Sequence, residues 1–139
     1  MKELPAHEEL KELCKRGDAA CGEGNYQLAV SLYQQAWALI PEPQLDWNAS
    51  TWVLGAIADA YLYNGDFGFA KDALEYAMHC PNGLGNPYLH LRLGQACFEL
   101  KEFDKAADEL ARAYMGGGPE IFEGQDVRYL EFLKTRMII

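Results

Sequence analysis

Residues 61–70 read YLYNGDFGFA, and the same pattern of residue types recurs before and after them in the chain. Residues 21–29 read CGEGNYQLA, and residues 98–106 read FELKEFDKA. In each copy, an aromatic residue is followed three positions later by alanine. These pairs are Tyr26 and Ala29, Phe67 and Ala70, and Phe103 and Ala106. A pattern that recurs in this way indicates a protein built from repeated copies of one structural unit.

The three copies also agree at positions further from the aromatic residue. Small residues lie nine positions before it, namely Gly17, Ala58 and Gly94. Larger residues lie seven positions after it, namely Tyr33, Leu74 and Leu110. Because small residues allow two helices to cross closely, each copy predicts an antiparallel helical hairpin. We expect the larger residues to fill the space between one hairpin and the next.

This arrangement resembles the tetratricopeptide repeat, a helix-turn-helix unit of about 34 residues. Numbered as in that family, the repeats span approximately 10–43, 51–84 and 87–120, and a capping segment spans 119–136. The resemblance implies an all-α fold with three helix-turn-helix repeats and a C-terminal capping helix. It also implies that the repeats form a short right-handed superhelix within a single domain, 1–139.

Glycine and proline mark the ends of the predicted helices. Gly24-Asn25 and Gly65-Asp66 supply turn chemistry within the first two repeats, whereas the third repeat has Lys101-Glu102 in the same place. Asn86-Pro87 is a helix cap followed by proline in the first turn. The inserted residues 42–50 predict a longer first helix in the second repeat, and Gly116-Gly117-Gly118 is interpreted as a hinge.

The resemblance to tetratricopeptide proteins also implies a binding groove, lined by the first helix of each repeat. Eight residues are the candidates for contact with a partner in this concave groove: Asp18, Asn48, Trp52, Asp59, Tyr63, Tyr88, Gln95 and Glu99. Aromatic residues with few charges are typical of interface cores, and the carboxylates would receive Lys or Arg from a partner. For Leu62, Leu91 and Phe98, packing between the first helices of adjacent repeats is the alternative interpretation.

The charge of the chain narrows the class of partner. Twelve basic against 21 acidic residues give a net charge of −9, which would be repelled by nucleic acid and by anionic lipid. We therefore expect a basic protein partner, no nucleic-acid partner and no membrane partner. When free, the chain is expected to be a monomer or a weak dimer.

Catalytic and metal-binding interpretations find little support in the sequence. His7, Cys14 and Cys21 are seven residues apart, about 10 Å along a helix, which is too far to chelate one metal ion. Phosphate-binding loops, dinucleotide fingerprints and nucleophile elbows are missing from the sequence. We expect no enzymatic activity, no cofactor and no metal site.

The N-terminal sequence, with Glu3, Glu8 and Glu9, differs from a secretory signal peptide. The expected location is the cytoplasm, where the four cysteines stay reduced.

Short segments suggest a narrower function. Residues 85–95, 107–118 and 129–134 resemble a bacterial subgroup of compact tetratricopeptide proteins that is similar to immunity proteins of polymorphic toxin systems, including the Rhs type. This second resemblance implies an antidote that binds and neutralises a basic toxin domain. The alternatives are a secretion or assembly chaperone, or a general adaptor that binds a peptide segment in the groove.

One function of the family is disfavoured by two residues of the first repeat. Members that bind the C-terminal tails of heat-shock chaperones need Lys and Asn in the first helix, and this chain has Cys14 and Asp18 there. A negative aspartate would repel an acidic tail.

Overall fold

The computed structural model describes residues 4–139, and every regular element within them is helical. The α-helices are α1 (His7–Gly22), α2 (Tyr26–Ala38), α3 (Asn48–Tyr63), α4 (Phe67–Ala77), α5 (Pro87–Glu99), α6 (Phe103–Gly117) and α7 (Val127–Lys134). Two short 3₁₀ helices, Gln44–Asp46 and Pro119–Phe122, precede α3 and α7. The chain forms two compact units, one ending at Leu84 and one beginning at Gly85. The all-α fold with three helical hairpins and a C-terminal helix is confirmed.

The three hairpins turn in the same way. Gly24 and Gly65 adopt left-handed backbone conformations, with φ of +78° and +81°. Lys101 adopts the same conformation in the third hairpin, with φ of +63°, although it is not glycine. In all three turns, the next residue donates its backbone N–H to a carbonyl five residues earlier, and the Glu102 to Cys97 bond measures 2.9 Å. Glycine is therefore the preferred residue at this turn, but the turn forms without it.

Glycine allows close helix crossing in the first and third hairpins, as predicted. A Cβ atom on Gly17 would lie 2.5 Å from the ring of Tyr33, and one on Gly94 would lie 2.7 Å from the side chain of Leu110. These contacts correct one expectation. Tyr33 and Leu110 fill the crossing inside their own hairpin rather than the space between one hairpin and the next.

The first unit is held together by a core that includes residues from α1, α2 and α3. Leu10, Ala29, Ala36, Val53 and Ala60 are fully buried in it. The predicted extension of α3 is confirmed, because the helix begins at Asn48. The loop before it is fixed by the Trp47 indole, which donates to the carbonyl of Pro41 at 3.0 Å.

The second unit consists of the α5–α6 hairpin and the C-terminal segment. The Asn86 side chain caps α5 as predicted and accepts from the N–H of Tyr88 at 3.0 Å. The hinge interpretation of the triple glycine is wrong for its first two residues, because α6 continues through Gly117. Added Cβ atoms on Gly116 and Gly117 would approach Pro87 at 2.9 Å and 3.2 Å, so these glycines let α6 lie close to the start of α5. Only Gly118 leaves helical geometry, at φ of +73°.

Candidate functional site

Four of the predicted contact residues lie along one stripe of α3. At about 100° per residue in an α-helix, Asn48, Trp52, Asp59 and Tyr63 fall within about 60° of one another. Trp52 is 49% exposed and Tyr63 is 54% exposed, whereas most aromatic surface is buried in a folded protein. Asp59 is the only charged residue of α3 and is partly buried. The stripe therefore places two large exposed aromatic side chains on the same side of the helix as one carboxylate.

Tyr63 is held in place by an aromatic neighbour on α2. Its ring lies 5.6 Å from the ring of Tyr26, at an interplanar angle of 31°. A contact of this kind limits the side-chain motion of Tyr63, so less conformational entropy would be lost if a partner covered the ring.

Asp18, the predicted contact residue on α1, has a structural bond as well as an exposed position. Its carboxylate accepts a hydrogen bond of 2.6 Å from the hydroxyl of Tyr33. Burial, followed by the charge of Asp18, raises the pKa of the Cys14 thiol to about 11. Burial also raises the pKa of Cys21, and the carboxylates of Asp18 and Asp59 add to that shift. Both carboxylates thus act on the Cys21 thiol.

We call the surface formed by the α3 stripe and Asp18 the α1–α3 face. It lies entirely within the first unit, and its members are Asp18, Asn48, Trp52, Asp59 and Tyr63.

The second unit contains three predicted contact residues, Tyr88, Gln95 and Glu99, and their surroundings differ. Tyr88 is 39% exposed, and its hydroxyl accepts from the Arg92 guanidinium at 3.0 Å. Gln95, predicted to contact a partner in the groove, is only 3% exposed, so its side chain lies inside the second unit. Its amide donates to Gln125 at 2.9 Å and accepts from Arg92 at 3.0 Å. A buried guanidinium needs acceptors, and the two glutamine side chains supply them.

Glu99 also forms hydrogen bonds with side chains of the C-terminal segment. Its carboxylate accepts from Arg128 at 2.8 Å and from the hydroxyl of Tyr129 at 2.8 Å. Burial, and after it the hydrogen bond to Glu99, raises the pKa of Tyr129. The carboxylate that the sequence predicts as a receptor for a partner's cation is bound here by a cation of the same chain, and the contact role of Glu99 stays a prediction.

Phe98 belongs to an aromatic cluster between α5 and α7. Its ring lies 5.4 Å from Tyr129, 5.3 Å from Phe132 and 5.6 Å from Phe103. Phe98 thus packs against α6 and α7 within its own unit. The C-terminal segment thus covers part of the α5 surface that the sequence assigned to the groove.

A buried hydrogen-bonded pair in the second unit was missed by sequence reasoning. His90 Nδ1 lies 2.5 Å from Glu109 Oε2, and His90 Nε2 accepts from the backbone N–H of Gly85 at 2.9 Å. The bond from Gly85 assigns the hydrogen to Nδ1, which therefore donates to Glu109. The only signal in the sequence is an uncommon pair of polar residues at positions that face the hairpin interior.

Within residues 4–139, the structure brings together no group of three or more His, Cys, Asp or Glu side chains that could hold a metal ion. None of the helices described in this range has the length and apolar character needed to cross a membrane. All four cysteines are free thiols.

Known proteins match this chain when structures are compared, but not when sequences are compared. No sequence profile of a protein family matches the chain, and no curated protein sequence does. Tetratricopeptide domains of known structure do match it. The chain has the tetratricopeptide repeat fold.

Three similar structures illustrate the range. The Sgt2 tetratricopeptide domain of Aspergillus fumigatus is 25% identical, with a TM-score of 0.68 over 91% of this chain and 76% of that one. The OM64 tetratricopeptide domain of Arabidopsis is 23% identical, with a TM-score of 0.70 over 92% and 93%. The Yersinia enterocolitica type III secretion chaperone SycD, in complex with a peptide of the translocator YopD, is 15% identical with a TM-score of 0.72 over 92% of each chain.

Proposed function

We propose that this tetratricopeptide chain is a non-enzymatic protein-binding module, and that the α1–α3 face receives a basic protein partner. The observation that carries the proposal is the α3 stripe, with Trp52 and Tyr63 half exposed on the same side as Asp59. Exposed aromatic anchors next to a carboxylate are typical of binding hot spots for Lys- or Arg-containing partners. The complex of the Yersinia chaperone with a translocator peptide supports the use of this fold for binding protein segments.

The distribution of charge supports a basic partner for the first unit in particular. Residues 4–84 contain eleven acidic and four basic residues, whereas residues 85–139 contain nine and seven. A field of this sign increases the rate at which a cationic protein encounters the first unit. It also disfavours acidic peptide tails, because Asp18 and Asp59 would repel them.

Within this class, we propose that the chain is an immunity protein that neutralises a bacterial toxin domain in the cytoplasm. Toxins that act on nucleic acid have positive clefts, and an acidic face with aromatic anchors complements such a cleft. The alternative, a secretion or assembly chaperone, would bind an extended segment of an export substrate on the same face. The proposed function requires no cofactor, metal ion, nucleic acid or membrane.

Affinity purification from the organism that encodes the chain, followed by mass spectrometry, tests the proposal. We expect one basic toxin fragment at near-equal amount, which the wild-type chain then neutralises when the two are co-expressed. Several secreted or unfolded substrates would favour the chaperone function instead. If no protein is captured from cells that express the candidate toxin or export substrate, both the immunity function and the chaperone function are contradicted.

Two substitutions on the α1–α3 face test whether the captured partner binds there. Trp52→Ala should weaken binding of the captured partner by about 2 kcal/mol or more, because a central aromatic anchor is lost. Asp59→Asn, which keeps the side-chain shape, should weaken binding and reduce its dependence on salt. Asp72→Asn is the matched control, because Asp72 is an exposed carboxylate on α4, outside the face. Equal binding by the Asp59→Asn variant and wild type, measured by titration calorimetry, would exclude Asp59 from the interface.

A further inference from the structure

The first unit has a second aromatic surface, formed by α2, α4 and the end of α3. The ring of Tyr61 lies 5.4 Å from Phe69, and its hydroxyl accepts from Gln34 at 3.3 Å. Trp37 on α2 and Tyr76 on α4 form an edge-to-face pair at 5.7 Å. We call these five residues, Gln34, Trp37, Tyr61, Phe69 and Tyr76, the aromatic patch.

The aromatic patch is distinct from the α1–α3 face. Tyr61 and Trp52 are nine residues apart on α3, which places them about half a turn from each other around the helix. The patch is also open to solvent, because Phe69 is 62% exposed and Tyr76 is 41% exposed. Exposed aromatic side chains grouped in this way are typical of interaction surfaces.

The charge of this surface is unusual for the chain. All thirteen residues of α2 are uncharged, although nearly a quarter of the whole sequence is charged. The solvent-facing polar side chains of α2 include Gln27, Gln34 and Gln35, which are neutral amides. On α4, Asp72 lies between Phe69 and Tyr76 in the sequence, and Lys71 and Glu75 form an ion pair at 3.9 Å. The α2 side of the patch therefore carries no charge, although the first unit is otherwise strongly acidic.

We propose that the aromatic patch is a self-association surface, on which a second copy of the chain docks about a two-fold axis. A two-fold interface places the same residues on both sides, so its groups must complement themselves. Aromatic rings stack on one another, and a glutamine amide both donates and accepts hydrogen bonds, so this patch meets that requirement. Two acidic copies repel each other elsewhere, and they approach with less repulsion through a surface to which α2 contributes no charge. A basic partner, by contrast, would find no carboxylate on α2.

Sedimentation equilibrium of the purified chain at low and high NaCl tests this proposal. We expect a weak monomer–dimer equilibrium that tightens several-fold as NaCl is raised from about 50 to about 500 mM, because salt screens the repulsion between acidic copies. Binding of a basic partner to the α1–α3 face would weaken under the same change. The opposite dependence on salt distinguishes the two surfaces, and self-association does not rest on the proposed immunity function.

Substitutions on the patch locate the interface. Gln34→Glu adds a charge without changing the side-chain shape, and Tyr61 can still hydrogen-bond to it by donating its hydroxyl proton. Both Gln34→Glu and Phe69→Glu should weaken dimerisation at least about tenfold, because each puts like charges on both sides of the axis. Trp52→Glu, on the opposite side of α3, is the control and should leave the dimer unchanged.

A chain that remains monomeric at every concentration and salt would overturn the proposal. A dimer that survives Gln34→Glu, or that is lost only in Trp52→Glu, would overturn it as well, since the contact would then lie elsewhere. Circular dichroism of each variant checks that it is folded, and the isosteric Gln34→Glu decides the result if Phe69→Glu does not fold.

Discussion

Lys101 performs a role for which the other two hairpins use glycine. Its φ of +63° lies in the left-handed region, where a residue with a Cβ atom is disfavoured by about 1–2 kcal/mol. We predict that Lys101→Gly raises the free energy of unfolding by about 0.5–1 kcal/mol, after the greater flexibility of glycine in the unfolded chain is subtracted. Urea denaturation followed by circular dichroism measures the change.

The reverse substitution in the second hairpin is the control. Gly65 has φ of +81°, and a Cβ atom there would meet nothing within 4 Å, so Gly65→Lys isolates the backbone effect. It should destabilise the protein by a similar amount. If both substitutions lower stability, the side chain of Lys101 makes a contribution that outweighs its backbone strain.

His90 and Glu109 are a second feature at the scale of single residues. Both side chains are buried, and His90 also satisfies the backbone N–H of Gly85. We predict that His90→Ala lowers the free energy of unfolding by about 2–4 kcal/mol, because it leaves a buried carboxylate and a backbone donor without their partner. Arg112→Ala, which removes an exposed contact to Asp108 at 3.2 Å, is the comparison and should cost at most about 0.5 kcal/mol. Similar losses for the two variants would show that the buried pair adds little.

At the scale of helices, close crossing depends on the size of one residue per hairpin. A Cβ atom on Gly94 would lie 2.7 Å from Leu110 and 3.1 Å from the backbone nitrogen of the same residue. We predict that Gly94→Ala destabilises the second unit by about 1–3 kcal/mol, because α5 and α6 must move apart or Leu110 must leave its preferred rotamer.

Gly68→Ala provides the matched control for this prediction. Gly68 lies in α4 with no atom within 4 Å of an added Cβ, so the same substitution should stabilise the helix by about 0.5 kcal/mol. Thermal unfolding of both variants gives the comparison. A stabilising effect at Gly94 would mean that the helices tolerate a wider crossing than the structure has.

Among the helices, the three hairpins could be predicted from the sequence, whereas the covering of α5 by the C-terminal segment could not. The hairpins were predictable because their signals are local: Gly17 and Gly94 at the crossings, and glycine or a polar residue at the turns. The covering of α5 was not, because Gln125 reaches Gln95 over thirty residues and Arg128 reaches Glu99 over 29. No periodicity in the sequence indicates such pairs. Arg92 in particular is a charged residue that is 8% exposed, which a pattern of polar and apolar residues assigns to the surface.

For the α1–α3 face, the sequence predicted the helices on which its residues lie. It could not distinguish Asp18, whose carboxylate also holds Tyr33, from Trp52 and Tyr63, which are half exposed. The difference arises because the hydroxyl of Tyr33, fifteen residues away in the chain, donates a hydrogen bond to Asp18.

At the scale of the whole molecule, the buried thiols predict sensitivity to alkaline pH. The pKa of Cys14 is raised from 9.0 to about 11, first by burial and then by Asp18, and burial also raises the pKa of Cys21 and Cys80. In the unfolded chain these thiols ionise near their ordinary pKa, so above about pH 9 the unfolded state loses protons that the folded state keeps. The contribution to stability is fully present below pH 9 and is lost progressively up to about pH 11.

Unfolding of the reduced protein in urea at pH 7, 9 and 10 tests this prediction, with Cys14→Ala as the variant. The free energy of unfolding of the wild-type chain should fall between pH 9 and 10, and the fall should be smaller for Cys14→Ala, since the variant has one fewer thiol to ionise. The absolute stability of the variant matters less than this slope, because removal of a buried side chain lowers stability equally at every pH. Equal slopes for the two proteins would mean that the Cys14 thiol ionises as readily in the fold as in the unfolded chain, and that the decline at high pH comes from other groups.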